Sequence, residues 1–436
     1  MYTLQRHVDT VILHLHLDEL GALYVLMQSG TDTFIMTRDL QLDFWSRPER
    51  RDPGYWAAQR TLVIGGSGDI LDEHVDGDRN CSRLAGQSAV NLALGLCKVS
   101  DPHLRSMVAE ITKFDNEAGC PVTHLATILK IVGTHEKRPG KLEAMGSMVL
   151  QIMSAIHCNL AYKFDKPTTS FLEYVLGIVD TSPQWNDEDA RGALIMMVEK
   201  ESRPDNATLF GLCNVYESLC SVTAAYPGHL AGCEVRAVIT YLLEMLYLGQ
   251  VNFHTLKRSV LAMKPERFLV EVMNDQGGFV RIPVMTLNST SDNPAAHSVL
   301  RAERALLSIV RNASGNISIQ GDQCRIRDRK IIAPIDRGIE ALTAMCRFRE
   351  LPLGRQKYAN WDSLRRYGEC SFGAPWYLDD KGRCALYNGT YTHPAPPTRL
   401  SLCDMGAMVK IAFVPDWVRQ WKVDRGVREG SCYSYT

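Results

Sequence analysis

The sequence predicts an α/β protein: an N-terminal, mostly parallel sheet with flanking helices, then a helical middle, then a smaller C-terminal α+β domain. Three observations carry this. Residues 1–130 alternate β-branched or Leu-rich runs with stretches of helical spacing, the pattern of a parallel sheet covered by helices. Residues 140–262 are almost entirely helical patterns punctuated by Pro and Gly. From Arg267 onward strand-like runs return, with turn chemistry between two of them. The expected domains are 1–135, 136–262 and 263–436, which suits a chain of 436 residues.

In chain order, Thr10 to Leu17 reads as a strand and Glu19 to Met27 as the helix that follows it. Thr33 to Thr37 and Thr61 to Ile64 are two more strands, the second running into Gly65 and Gly66. Ser82 to Cys97 has apolar residues at helical spacing. Asp101-Pro102 supplies an N-cap acceptor and a proline at the first helical position, starting a helix that runs to about Phe114. Five helices are expected next: Lys141 to Tyr162, Thr169 to Val179, Asp187 to Glu201, Ala207 to Ala225 and Glu234 to Leu248. The strand-like runs after Arg267 are RFLVEVM, GGFVRIPVM, LLSIV and ISIQ, with Asn312 to Asn316 as a hairpin turn. Ile335 to Glu350 is a helix, residues 354–400 read as turns and short strands, and Ser401 to Ala412 reads as a last helix.

Composition excludes several classes. Apolar residues make up 45% and charged residues 22%, a folded rather than a disordered balance. Forty-eight basic residues against 49 acidic ones rule out gripping nucleic acid by bulk charge, though a local basic patch stays open. The purely apolar runs fall short of a membrane span, and the N-terminus does not read as a signal peptide. The 13 cysteines are scattered without CxxC spacing and read as free thiols in a reducing compartment. A cytoplasmic protein, without membrane partners and with homodimerisation left open, is the expectation.

The informative stretch is VILHLHLDEL. If it is a strand, His14, His16 and Asp18 share one face and Leu13, Leu15 and Leu17 the other. Two imidazoles and a carboxylate in a row suit a metal, at a strand end where open α/β sheets bind ligands; a solvated strand face is the alternative. A second cluster, Gly65-Gly66-Ser67-Gly68-Asp69-Ile70-Leu71-Asp72-Glu73-His74, also follows a strand and offers Asp69, Asp72, Glu73 and His74, or else forms an ordinary surface turn. A third, Asp115-Asn116-Glu117, closes a helix, where a carboxylate opposes the helix dipole unless a cation offsets it. Oxygen ligands mixed with imidazole favour Mn²⁺ or Mg²⁺ over a thiolate zinc site.

The order HxHxDE, then GG…D..DEH, then Asp-Asn, resembles the DHH superfamily of phosphoesterases, and within it the melanocyte-proliferating-gene type of exonuclease (metal-dependent protein hydrolases). Thr37-Arg38-Asp39 is similar to a further element of that family. The resemblance covers residues 10–120. It implies two Mn²⁺ or Mg²⁺ ions, with His14, His16 and Asp18 as the first motif, Asp72, Glu73 and His74 as the motif that names the superfamily, and Asp115 as the last acidic ligand. Val63 stands where that family has a bridging Asp, and Glu73 where it has the first His of DHH; Asp69 or Asp72 would have to bridge instead. His74 would contact phosphoryl oxygens.

The function so implied is a divalent-metal-dependent phosphoesterase, a nuclease or oligonucleotide phosphodiesterase, with its site between two domains. The alternative is a catalytically weakened DHH-like protein that binds a nucleotide or a protein partner. Substrate contacts are expected from Arg311, Asn312, Ser314, Gly315 and Asn316, whose turn offers amides to an anion, with Arg347 and Arg349 on the following helix; the alternative is an ordinary tight hairpin and a solvated helix face. Trp376-Tyr377 and Tyr387-Asn388-Gly389 either stack on bases or cap a small core.

Overall fold

The structure is a computed structural model. It describes residues 6–31, 33–44, 51–65, 69–72, 87–116, 120–228, 230, 234–293, 295–370, 372–379, 384–389 and 395–427. The chain forms two compact units, Met1–Asn252 and Phe253–Thr436.

Unit 1 begins with β1 (Arg6–Leu13), α1 (Leu17–Ser29) and β2 (Phe34–Phe44), then α2 (Pro53–Ala58), β3 (Thr61–Val63), α3 (Ala89–Cys97) and α4 (Pro102–Asn116). The strands form a parallel sheet in the order β2-β1-β3, so the central strand is the first in the chain. β1 pairs with β2 from Arg6↔Phe34 to Leu13↔Phe44, with a shift between Val8 and Thr10. β1 therefore stops four residues short of the expected Leu17, and β2 runs seven residues past the expected Thr37. Five further helices complete the unit: α5 (Leu125–His135), α6 (Pro139–Tyr162), α7 (Phe171–Asp180), α8 (Glu188–Glu201) and α9 (Leu212–Ala225). α10 (Val235–Ala262) is continuous across the boundary between the units.

The expected helical domain 136–262 is not separate from the sheet. One continuous buried core runs from Val8, Val11 and Leu62 of the sheet through Val149 and Ile152 of α6 to Leu242 and Leu246 of α10. The long helix α6 is apolar enough by length and composition to cross a membrane. Its Met145, Val149, Ile152, Met153 and Ile156 instead lie buried in that core, where α6 packs on α1, α9 and β2. Gly146 is needed there, because a Cβ would run into the Phe44 ring.

Unit 2 adds β4 (Glu266–Met273), β5 (Phe279–Asn288), α11 (Ala296–Ala302), β6 (Leu307–Arg311), β7 (Ile317–Gly321), α12 (Gln323–Asp328) and α13 (Ile332–Glu350). Then come α14 (Leu353–Gln356), α15 (Trp361–Leu364), β8 (Tyr377–Leu378), β9 (Ala385–Tyr387), α16 (Leu402–Ala412) and α17 (Pro415–Arg425). α17 follows the helix expected to be last; its Pro at the first turn starts it, and Val418 and Trp421 bury it. The sheet order is β4-β5-β6-β7-β9-β8, antiparallel except between β5 and β6, where α11 makes the crossover. β4 has period-two burial, Val270 and Val272 facing the helices α13 and α16. The ten described cysteines are free thiols.

Candidate metal centre

Because β1 ends at Leu13, His14 and His16 lie in the strand-to-helix connection rather than on a strand face. The alternation still holds across the turn. Leu13, Leu15 and Leu17 are buried, while His14 is half-buried and His16 is exposed. Three apolar anchors thus pin the connection to the core and leave both imidazoles at the carboxyl end of the central strand. The rings stack, with centroids 5.5 Å apart and planes at 22°.

Their partner is Glu19, not Asp18. Glu19 sits in the first turn of α1, almost wholly buried, with its carboxylate turned back toward the end of β1. It accepts a hydrogen bond from the His14 amide, which ties the free end of the strand to the free end of the helix. Its Oε1 lies 3.0 Å from His14 Nδ1 and 3.6 Å from His16 Nδ1. Burial alone would raise the Glu19 pKa; the two histidines, by hydrogen bond and by charge, outweigh it and hold the carboxyl below its ordinary value. One ligand atom from each of His14, His16 and Glu19 falls within 4.8 Å of the others.

The position of this group is set by topology. With order β2-β1-β3, the chain leaves β1 to one side for β2 and returns to the other side for β3. The crevice between β1 and β3 is the switch point at which open α/β sheets bind ligands. β3 delivers Gly65 there. Its φ of +81° is left-handed, and a Cβ on it would lie 2.5 Å from Glu19 Oε1. Only glycine lets that backbone pass against the carboxylate.

The other expected ligands divide. Asp18 is buried in the first turn of α1 but is not one of the three grouped residues. Asp69 is committed to structure. Arg6 Nη1 and Nη2 lie 2.7 and 2.9 Å from its two oxygens, and it also accepts from the Val63 and Ile70 amides, each at 2.9 Å. This bidentate pair, its carboxylate fully buried, locks the start of β1 to the loop after β3. Val63 is buried against Ile12 and Trp56, a core role that explains an apolar residue there. Asp72 closes a turn on Asp69, and Asp115 lies in the last turn of α4; neither joins the His14–His16–Glu19 group. Glu73 and His74 fall outside the described residues. Among the described residues, one three-ligand group is assembled rather than the two ion sites expected.

Several of the expected substrate contacts in unit 2 are engaged in internal bonds. The hairpin β6–β7 forms as expected, with the Asn312 amide donating to the Asn316 carbonyl. Its backbone amides and the Ser314 hydroxyl are already used: the Ser314 amide and hydroxyl both donate to Asp292, each at 2.9 Å, and the Asn316 amide donates to Asn312 Oδ1 at 2.8 Å. An internal carboxylate fills the place proposed for a phosphate. Arg347 is fully buried and donates to the carbonyls of Leu364, Arg366, Gly368 and Trp376. Arg349 pairs with Asp404 at 3.2 Å. Trp376 and Asn388 are likewise buried, and Asn388 donates to the Pro375 and Pro396 carbonyls, so this segment caps a core.

Sequence reasoning missed Glu19. The signal was present as His-x-His-x-x-Glu across a strand-to-helix junction. Had the strand been ended at Leu13, a helix beginning at Leu17 would have placed Glu19 where a first-turn carboxylate reaches back to unpaired amides.

Comparison with known proteins adds little to this. No family model matches the chain and no curated protein matches it, so neither carries the resemblance to the DHH superfamily. Among solved structures, the chain has some likeness to an uncharacterized protein from Helicobacter pylori G27, at 11% identity and a TM-score of 0.20, covering 74% of this chain and 89% of that one. A likeness so slight carries no argument about fold or function.

Proposed function

We propose that unit 1 binds one divalent first-row metal ion through His14, His16 and Glu19 and hydrolyses a phosphate ester, with nucleotides or short oligonucleotides as the substrate class. The observation that carries the reading is this mixed imidazole–carboxylate group at the sheet's switch point, against a glycine that a side chain would displace. The donor set fits an ion. Two imidazoles and one carboxylate suit Mn²⁺, Fe²⁺ or Zn²⁺ and are a poorer match for Mg²⁺, which prefers oxygen. Glu19 is buried and His16 exposed, so the group has a closed side and an open one, as a site that must admit substrate requires.

When bound, the ion would supply Lewis-acid polarisation of a phosphoryl oxygen and a more acidic water. The protein's own residues do the positioning. Leu13, Leu15 and Leu17 fix the connection in register. The His14 amide orients the Glu19 carboxylate, and Glu19 in turn orients both imidazoles. Gly65 keeps the opposite wall of the crevice clear, and the Arg6–Asp69 pair holds the loop that carries it.

A second reading, a protein that binds a nucleotide or protein partner without turnover, is favoured by Val63 and Asp69. One is core and the other is bound to Arg6, so neither is available as a bridging ligand. Titration with Mn²⁺ followed by assay on a generic phosphodiester and a phosphomonoester separates the two. Metal-dependent turnover that disappears in Glu19→Gln supports hydrolysis. Metal binding with no turnover on either ester supports the binding reading, and no metal binding removes the metal-dependent hydrolysis.

A further inference from the structure

A pocket of about 680 Å³ opens in unit 2 between the start of the edge strand β4 and the helix α16. Lys264, Arg267 and Lys410 line it, against one carboxylate, Glu266. All three cations are exposed. Among the described residues none of the three forms an ion pair; Lys410 instead lies over the Phe268 ring, 5.4 Å from its centroid. The remaining wall is partly apolar, with Met263, Phe268 and Leu402, and partly polar, with Thr286 and Asn288.

That arrangement differs from a second cation-lined pocket of the unit. There Arg337 pairs with Asp275 at 2.5 Å, Arg365 with Asp362 at 3.1 Å and Arg419 with Asp416 at 3.3 Å. Its arginines are neutralised in place. Beside β4 the three cations line one pocket and none is ion-paired with its single carboxylate, Glu266, in a volume of the size that takes a small ligand. Like charges so placed repel one another, and an anion that bridges them relieves this and gains charge-assisted hydrogen bonds.

We infer that this pocket binds a small organic phosphate of at least two negative charges, its phosphates held by Lys264, Arg267 and Lys410 and its apolar part against Met263, Phe268 and Leu402. The inference stands on unit 2 alone and does not depend on the metal centre.

The test is calorimetric titration of the full chain with inorganic pyrophosphate and with ADP, in chelator and in the Glu19→Gln background, so that a metal centre in unit 1 stays silent. The expected results are saturable binding of both, tighter for ADP. Affinity should fall about tenfold in each of Arg267→Gln and Lys410→Gln and fall further with added salt, while Arg337→Gln leaves it unchanged. These are exposed side chains, and circular dichroism confirms that the variants fold. Absence of binding, or equal loss in Arg337→Gln, overturns the assignment. Pyrophosphate binding as tightly as ADP overturns the organic part of it.

Discussion

Replacing Arg347 with Met tests the reassignment of this residue from ligand contact to structural tie. The guanidinium is fully buried in α13 and makes five hydrogen bonds to four backbone carbonyls, those of Leu364, Arg366, Gly368 and Trp376. Those carbonyls belong to a segment with little regular structure, so the arginine takes the place of a strand partner for it. Methionine fills a similar volume and removes the cost of burying a cation, but it leaves four buried acceptors without that donor. The Gly368 carbonyl keeps the Leu378 amide as a donor, and at about 1–2 kcal/mol for each of the other three, partly relieved by local shifts, the loss is about 4 kcal/mol. For a unit of this size that lowers Tm by roughly 8–16 °C. Scanning calorimetry reads it directly. Arg349→Met is the control: its pair with Asp404 is at the surface and is worth less than about 1 kcal/mol. If Arg347→Met and Arg349→Met shift Tm equally, or Arg347→Met by less than a couple of degrees, the account of Arg347 is wrong.

Three further outcomes follow from the same geometry. His297 is buried with Nδ1 2.8 Å from Ser308 Oγ and Nε2 2.7 Å from Ser318 Oγ, and burial, with Arg301 nearby, lowers its pKa to about 3. The unfolded chain takes up this proton near pH 6.5 and the folded one does not, so stability falls as pH drops from about 6.5 toward 3, by up to about 1.4 kcal/mol per unit. Urea melts at neutral and mildly acidic pH should show that slope flattened in His297→Gln. Asp69→Asn should cost about 3 kcal/mol in chemical denaturation, because it leaves Arg6 short of its bidentate partner; an unchanged midpoint would return Asp69 to the list of free ligands. Gly65→Ala should weaken metal binding at least tenfold in calorimetry, since its methyl group competes with the Glu19 carboxylate for space; unaltered affinity would place the metal elsewhere.

The fold was legible where periodicity was strong and local. The helix after Asp101 starts where that N-cap predicts, those expected from Asp187 and Ser401 begin one residue later, and the one expected from Thr169 begins two residues later. The alternating strands β4 to β7 and the Asn-Ala-Ser-Gly-Asn turn were also readable. Ends set by tertiary packing were not. His14 to Leu17 continues the alternation of β1, yet Glu19 captures the His14 amide and starts a helix instead. Arg347 and Arg349 are indistinguishable by spacing alone, two residues apart near the end of one helix. What separates them is a distant segment, 364–376, whose carbonyls need donors. Asp292 likewise lies 22 residues from the Ser314 it caps, beyond any local pattern. The two imidazoles of the candidate centre were found from the sequence. Its carboxylate was assigned one residue too early, because a strand face and a helix turn point neighbouring side chains in different directions.

Anomalous diffraction from crystals soaked with Mn²⁺ or Zn²⁺ bears most directly on the central claim. The account predicts one strong peak within bonding distance of His14, His16 and Glu19, absent from Glu19→Gln crystals soaked in the same way. A peak held by other residues, or none at this end of the sheet, would contradict it.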